Sequence, residues 1–368
     1  MAQTFFHFEN MTGSDAPCQK SEMLQNLPDP DLFDGLSEKE AYGWREYLYA
    51  TPRKKTRKLS LRNHVIALYD PFASRKDFPA GRRWCVNVYV GCIFSCKYCY
   101  IVSYIRNAFK PHSKKNFKKL AERDIKKIQK LGLHPAPIHI SNSTDPLQYL
   151  EKSHKHTLFL LQKLREHREC FTTITVLTKN PMILCDPEYL TIIQALKNFQ
   201  VEVTCPFYKD DIRKFFEPYA PPIESRLEAI RKLREKDITI SLRLDPVLPR
   251  VPLPKEFFSK PGLEDYDAPE GQTDKDIEQL IRFASEVGCK SIIVSPLKLV
   301  IGRFGNPDIC SDYLKLYTEA NQGKLIRQGS AYRMPWPLYL HWLEKPGDLA
   351  KSLGIPLIYC KNNLLNTY

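Results

Sequence analysis

Three cysteines in the run Gly91-Cys92-Ile93-Phe94-Ser95-Cys96-Lys97-Tyr98-Cys99-Tyr100 constrain this chain more than any other feature. Their Cys-x3-Cys-x2-Cys spacing is short enough for one loop to wrap one inorganic centre, because short gaps keep the closure entropy of each ligand small. Upstream, Trp84–Val90 alternates bulky apolar and β-branched residues and predicts a buried strand, so the thiols leave a strand's C-terminal end. Soft thiolates select zinc or an iron–sulfur cluster. Zinc in a structural site takes four protein ligands. Cys85 and His112 are the candidates for a fourth, and neither gives the paired short spacing of a zinc knuckle. A 4Fe-4S cluster held by three thiolates keeps one iron without a protein ligand, open for chemistry.

The triplet, with Tyr98 before its third cysteine, resembles the motif of the radical S-adenosylmethionine (SAM) superfamily. Tyr98-Cys99-Tyr100 and several later segments resemble more narrowly the spore photoproduct lyase family and its uncharacterised relatives, over about Arg82 to Pro296. The resemblance implies a 4Fe-4S cluster on Cys92, Cys96 and Cys99. It implies reductive cleavage of SAM to a 5'-deoxyadenosyl radical that takes a hydrogen atom from a substrate. An electron donor such as flavodoxin or ferredoxin is implied with it.

The rest of the chain fits a matching frame. From Arg82 onward, six predicted strands alternate with helices: Trp84–Val90, Pro137–Ser141, Thr172–Thr178, Gln200–Cys205, Ile238–Leu244 and Ser291–Ser295. Helices are expected over Lys114–Lys130, His154–His167, Pro187–Asn198, Glu224–Lys236 and Asp274–Val287. Serial strand–helix units predict a parallel sheet with right-handed crossovers. Six units are too few for an eight-stranded barrel. The expected fold is therefore α/β, a partial (β/α)6 TIM-type barrel, which is also the fold the resemblance implies. Residues 82–297 form that barrel in this reading, 1–81 a basic N-terminal extension and 298–368 a C-terminal extension.

Barrels of this kind collect their working residues at the strands' C-terminal ends. After the second strand stands Ser143-Thr144-Asp145, whose hydroxyls and carboxylate suit the ammonium and ribose hydroxyls of SAM. Lys179 follows the third strand and is placed to pair with the SAM carboxylate or ribose. The resemblance supports both assignments. Thr204 and Cys205 end the fourth: Thr204 is a hydrogen-bond partner for SAM, and Cys205, if its thiol faces the interior, a hydrogen-atom donor. A buried, inert Cys205 is the alternative. Tyr98 could wall the adenine, and Tyr98 and Tyr100 could relay a hydrogen atom, as the family's tyrosines are thought to do. Glu217 and Arg226 resemble positions at the active-site edge, and Arg243 with Asp245 reads as an internal salt bridge. In one respect the chain departs from the family: Asn142 stands where photoproduct lyases carry their hydrogen-donor cysteine.

Charge bears on the substrate. The 368 residues carry 55 Lys and Arg against 42 Asp and Glu, a net charge of +13. Such a balance favours an anionic partner, nucleic acid first. The run Pro52-Arg53-Lys54-Lys55-Thr56-Arg57-Lys58 suits phosphates or is a solvated tail. Trp336, Tyr339 and Trp342, interleaved with Arg333 and Lys345, suit base stacking or a small helical cap. A zinc-stabilised nucleic-acid-binding protein without catalysis, and a radical SAM enzyme acting on a protein or small molecule, are the rival readings. No apolar run approaches membrane-spanning length, no secretory leader is evident, and the odd cysteine count of 11 argues against a disulfide scaffold; a reducing cytoplasm is expected.

Overall fold

The computed structural model describes residues 64–69, 83–130, 135–248, 272–300, 326–328, 331–333 and 336–360. The basic run at 52–58 and Cys310 lie outside them. So do the side chains of Arg333 and Trp336.

In chain order the elements begin with β1 (Ile66–Tyr69), β2 (Arg83–Val86), β3 (Tyr89–Val90), β4 (His112–Ser113), α1 (Phe117–Lys130), β5 (Ile138–Ile140), α2 (Leu150–His154) and α3 (His156–Glu166). Next come β6 (Ile174–Thr178), α4 (Pro187–Gln194), β7 (Phe199–Thr204), α5 (Asp210–Phe216), α6 (Ile223–Arg234), β8 (Thr239–Val247), α7 (Asp274–Glu286) and β9 (Ser291–Pro296). The C-terminal part adds β10 (Lys298–Val300), β11 (Ile326–Gln328), β12 (Ala331–Arg333), α8 (Trp336–Trp342), α9 (Glu344–Ser352) and β13 (Leu357–Tyr359).

One sheet organises them, in the order β1-β2-β5-β6-β7-β8-β9-β13. Its six central strands correspond to the six expected from the sequence, and each runs parallel to the next. The first differs from the expected Trp84–Val90: it leaves the sheet after Val86, where Asn87 turns to cap the Asn142 and Ser143 N–H groups, and Tyr89–Val90 pairs instead with β4 in a separate two-stranded sheet. The sheet is longer than that reading by one strand at each end. β1 adds antiparallel to β2, and β13 adds parallel to β9, so both flanking extensions contribute an edge strand. The fold is an open, partial (β/α) barrel, as expected from the strand–helix alternation.

The two faces of the sheet differ sharply. In register across it run Val86, Ile140, Val176, Val201 and Ile240, all buried in the main core with the apolar sides of the helices. One residue over, the pleat turns the other way, and the aligned row is Cys85, His139, Thr175, Gln200 and Thr239. The next inner row holds Leu177, Glu202, Ser241 and Ser291. Barrel interiors are ordinarily layers of branched aliphatics, whereas this one is mostly polar.

Charge inside the barrel is paired. Arg243 donates to Glu202 and to Asp245, each at 2.6 Å, so the expected Arg243–Asp245 bridge is present with a second carboxylate added. Burial works against ionisation of Glu202, but Arg243 and His139 outweigh it and hold the carboxyl well below its ordinary range. A carboxyl depressed in the folded state stabilises the protein above its unfolded pKa of about 4.3, and that stability is lost as pH falls. Glu202→Gln should therefore flatten the loss of stability on acidification from about pH 5 downward, measured by urea midpoints across pH, against the steeper fall of the parent. In the apolar face, Leu242 is fully buried on β8. Leu242→Ala should cost about 2–5 kcal/mol, read as a lower urea midpoint.

Candidate functional site

The cysteine loop leaves β3 at Gly91, whose φ of +76° is the left-handed region that glycine adopts at no steric cost. Space forbids a larger residue as well: a Cβ on Gly91 would lie 2.6 Å from the Ala108 carbonyl oxygen and 3.3 Å from Pro111 Cα. That closeness lets Cys92 N–H donate to Ala108 O at 2.8 Å. From the far side, Gln148 pins the same loop. Its amide nitrogen donates to Gly91 O at 3.1 Å and to Thr144 Oγ1 at 2.9 Å, and its Oε1 accepts from Ile93 N–H at 3.0 Å. Thr144 donates to Gly91 O at 2.5 Å.

Within the loop, Cys99 N–H donates to Cys96 O at 2.9 Å, and Lys97 N–H reaches Phe216 O at the end of α5, also at 2.9 Å. Burial is the largest influence on each of the three thiols and pushes it up. The Cys92 thiol is raised further by the charges of Asp145, Cys96 and Cys99, and Cys92 and Cys99 pack against the small buried cluster of Phe94, Cys96 and Ala220. Among the described residues, no three His, Cys, Asp or Glu side chains converge to hold a metal ion. The Lys179 ammonium works to lower both Cys96 and Cys99, favouring the thiolates that a cluster binds.

Beside the thiols lies a fully buried carboxylate, Glu217, just past α5. Arg226, itself fully buried on α6, donates to its Oε2 at 2.6 Å, and Lys179 lies 3.2 Å from its Oε1. The Tyr98 hydroxyl also donates to Oε1, so the residue between two cysteines is tied to the hub. Arg226 is held in turn by the carbonyls of Thr204 and Pro221, each at 3.0 Å. Burial penalises the Glu217 charge, yet the two cations and the Tyr98 hydroxyl keep its carboxyl below its ordinary range. Lys179 also lies 5.7 Å from the Tyr98 ring centroid, and Phe207 meets that ring edge-on at 6.5 Å.

The predicted site residues divide on this geometry. Cys92, Cys96, Cys99, Tyr98 and Lys179 come together, and Thr204 joins them at the end of β7 with only 6% exposure. Tyr100 donates to the backbone carbonyl of Asn142, and Ser143 accepts from Tyr104 at 2.8 Å, so both line the adjacent rim. Thr144 and Asp145 turn inward on the protein. The Asp145 carboxylate accepts from Leu147 N–H, Thr178 Oγ1 and Lys179 N–H at 2.7–2.9 Å, a capping role that joins two strand ends. Cys205 is not on the interior face. It continues the outward parity of Val201 and Val203, belongs to the apolar core, and gives its thiol to Phe207 O at 3.5 Å. Burial pushes that thiol up to about 12.

Two contributors escaped the sequence reading. Gln148 sits between Leu147 and Tyr149 with no local pattern to mark it. Asn87 accepts from the N–H groups of both Asn142 and Ser143 at 2.9 Å, shaping the second strand's rim. A polar residue within an otherwise apolar predicted strand was the one available signal for Asn87. The cysteine nearest the family's donor position is Cys85, whose sulfur accepts from Asn142 Nδ2 at 2.9 Å.

A barrel with buried thiols at the strands' C-terminal ends defines a class. Residues 86–251 match the family model of the Radical SAM superfamily, so the chain carries a radical SAM domain. Proteins of this superfamily use a 4Fe-4S cluster and S-adenosylmethionine. An uncharacterized protein of Methanocaldococcus jannaschii is 24% identical over 169 residues, 46% of this chain and 62% of the relative, so the match spans less than two thirds of that protein. Among solved structures, a spore photoproduct lyase mutant with bound AdoMet and dinucleoside spore photoproduct superposes with a TM-score of 0.51 at 12% identity, covering 74% of this chain and 75% of that one. Spore photoproduct lyase complexed with dinucleoside spore photoproduct gives 0.50 at 11% identity, over 75% and 76%. These likenesses are of fold. No described helix is long and apolar enough to cross a membrane.

Gly91→Ala should spoil the loop while leaving the barrel folded. Reconstituted protein should lose most of its bound iron with an unchanged circular-dichroism spectrum; full iron retention would show that the close approach to Ala108 is dispensable.

Proposed function

We propose that this chain is a radical SAM enzyme that holds a 4Fe-4S cluster on Cys92, Cys96 and Cys99 and acts on nucleic acid in a lyase-like reaction. One observation carries the reading: three cysteines gathered at one small buried cluster, on a loop clamped at Gly91, stand beside the buried Lys179–Glu217–Arg226 array. When bound, the cluster and SAM supply one-electron cleavage of the sulfonium and a 5'-deoxyadenosyl radical able to abstract hydrogen.

The chain's own groups bind and orient. Lys179, half-committed to Glu217, offers its remaining donors to the SAM carboxylate, and Ser143 and Thr204 offer hydroxyls to the ribose and amino groups. Tyr98, immobilised by Glu217, walls the adenine. Tyr100 stands at the rim for hydrogen-atom relay, with Tyr104 6.1 Å away between ring centroids. Thr144 and Asp145 position the loop and the third strand's end. A closed, ordered rim of this kind keeps a reactive intermediate from water and holds the target carbon close. An electron donor of the flavodoxin or ferredoxin type, in a reducing cytoplasm, completes the scheme.

The nucleic-acid assignment rests on a net charge of +13, on the lyase likeness and on the exposed basic face considered below. Metal content separates this reading from a zinc-stabilised binding protein. Protein reconstituted anaerobically should be brown, hold about four irons, and form 5'-deoxyadenosine with dithionite and SAM. Cys96→Ala should lose colour and cleavage together; a colourless parent with one tightly held zinc would end the enzyme reading.

A further inference from the structure

The segment just after the cysteine loop has a lopsided charge. Between Ile101 and Ala121 stand six Lys and Arg and no Asp or Glu. Arg106, Lys110, Lys115, Lys118 and Lys119 are all exposed. Among the described residues none of the five forms an ion pair, whereas Lys126, about two turns beyond Lys119 on α1, is paired with Glu122 at 3.1 Å. Lys114 is half-buried, and desolvation pulls its amine down to about 8, the state of an ammonium short of an anion.

This basic strap is built onto the site. β4, in its middle, pairs antiparallel with β3 immediately before Gly91, and Ala108 and Pro111 are the groups against which Gly91 packs. Tyr104 reaches Ser143 across the rim. Among the described residues, the large hydrophobic side chains left exposed are three tyrosines, Tyr149 at 52%, Tyr208 at 41% and Tyr219 at 68%. Tyr149 and Tyr208 stand on the connections that follow the C-terminal ends of β5 and β7, and Tyr219 stands between α5 and α6. Tyr149 follows Gln148, the residue that pins the cysteine loop, and directly precedes α2, which packs against β4 of the strap.

We propose that the strap cations and Tyr149 form one docking face for an unpaired stretch of nucleic acid, phosphates on the lysines and a base stacked on the tyrosine, leading to the barrel mouth. It rests on the nucleic-acid reading above and adds the surface and the strand state. Cations alone would serve any polyanion; an exposed ring among them suits an unstacked base, because every base offers a π face. Buried aromatics would not serve, and a duplex would withhold its bases from Tyr149.

The test uses the full chain and a fluorescein-labelled, mixed-sequence DNA single strand of about 20 nucleotides, read by anisotropy across salt. The triple variant Lys110→Glu, Lys115→Glu, Lys119→Glu should weaken binding at least tenfold and reduce the slope of log K against log salt by about two to three. Tyr149→Ala should weaken binding about five- to a hundredfold with the salt slope unchanged, and Tyr149→Phe should restore it. SAM cleavage driven by dithionite should stay at parental level in the triple variant. If the parent binds DNA and either the triple variant or Tyr149→Ala binds equally well, this face is wrong while the nucleic-acid reading stands. A loss with charge reversal but none with Tyr149→Ala means a generic polyanion site and overturns the proposal. If the parent binds no strand even at low salt, both the face and the nucleic-acid reading fall.

Discussion

A single carboxylate holds the working end of this protein together. Glu217 has no contact with solvent, and a charge so placed is tolerable only when its partners are close and its lone pairs are filled. Arg226 and Lys179 supply two positive charges and Tyr98 a hydroxyl, and these come from α6, the end of β6 and the cysteine loop. Removing any one would strand a buried charge, so the three segments are locked in mutual position. Tyr98 lies between Cys96 and Cys99, which makes this network a direct determinant of where those thiols sit.

The second constraint is steric. At Gly91 the backbone passes so near Ala108 that no side chain fits, and the strap carrying the exposed lysines is pressed against the loop carrying the thiols. The basic strap and the cysteine loop are therefore one piece of structure. Gln148 and Thr144 close the same loop from the opposite strand, so it is held on both sides. Open chemistry at one face of a loop requires this kind of rigidity at the other.

Polarity inside the barrel completes the arrangement. Arg243 bridges Glu202 and Asp245, and His139 lies 3.6 Å from Glu202, with neither ring nitrogen hydrogen-bonded. Parallel sheets covered on both faces usually read as apolar runs. Here the pleat gives each central strand one aliphatic face for the helices and one polar face for the interior, which is why the strands alternate more than buried parallel strands usually do.

The sequence by itself determined the frame. Periodicity and strand–helix alternation were enough to place five of the central strands, the first half of the Trp84–Val90 strand and the five long helices, because these depend on local pattern. The Cys-x3-Cys-x2-Cys run was likewise legible in the sequence, since a short spacing is meaningful without any fold. Only tertiary structure decided the rest. The edge strands at Ile66–Tyr69 and Leu357–Tyr359 join through backbone hydrogen bonds to residues far off in the chain, which no local pattern encodes. Glu217, Lys179 and Arg226 became a unit only when three elements met. Cys205 left the interior because the pleat assigns alternate residues to opposite faces, and a shift of one position, invisible in the composition of Thr204-Cys205, moves a thiol from the chamber into the core.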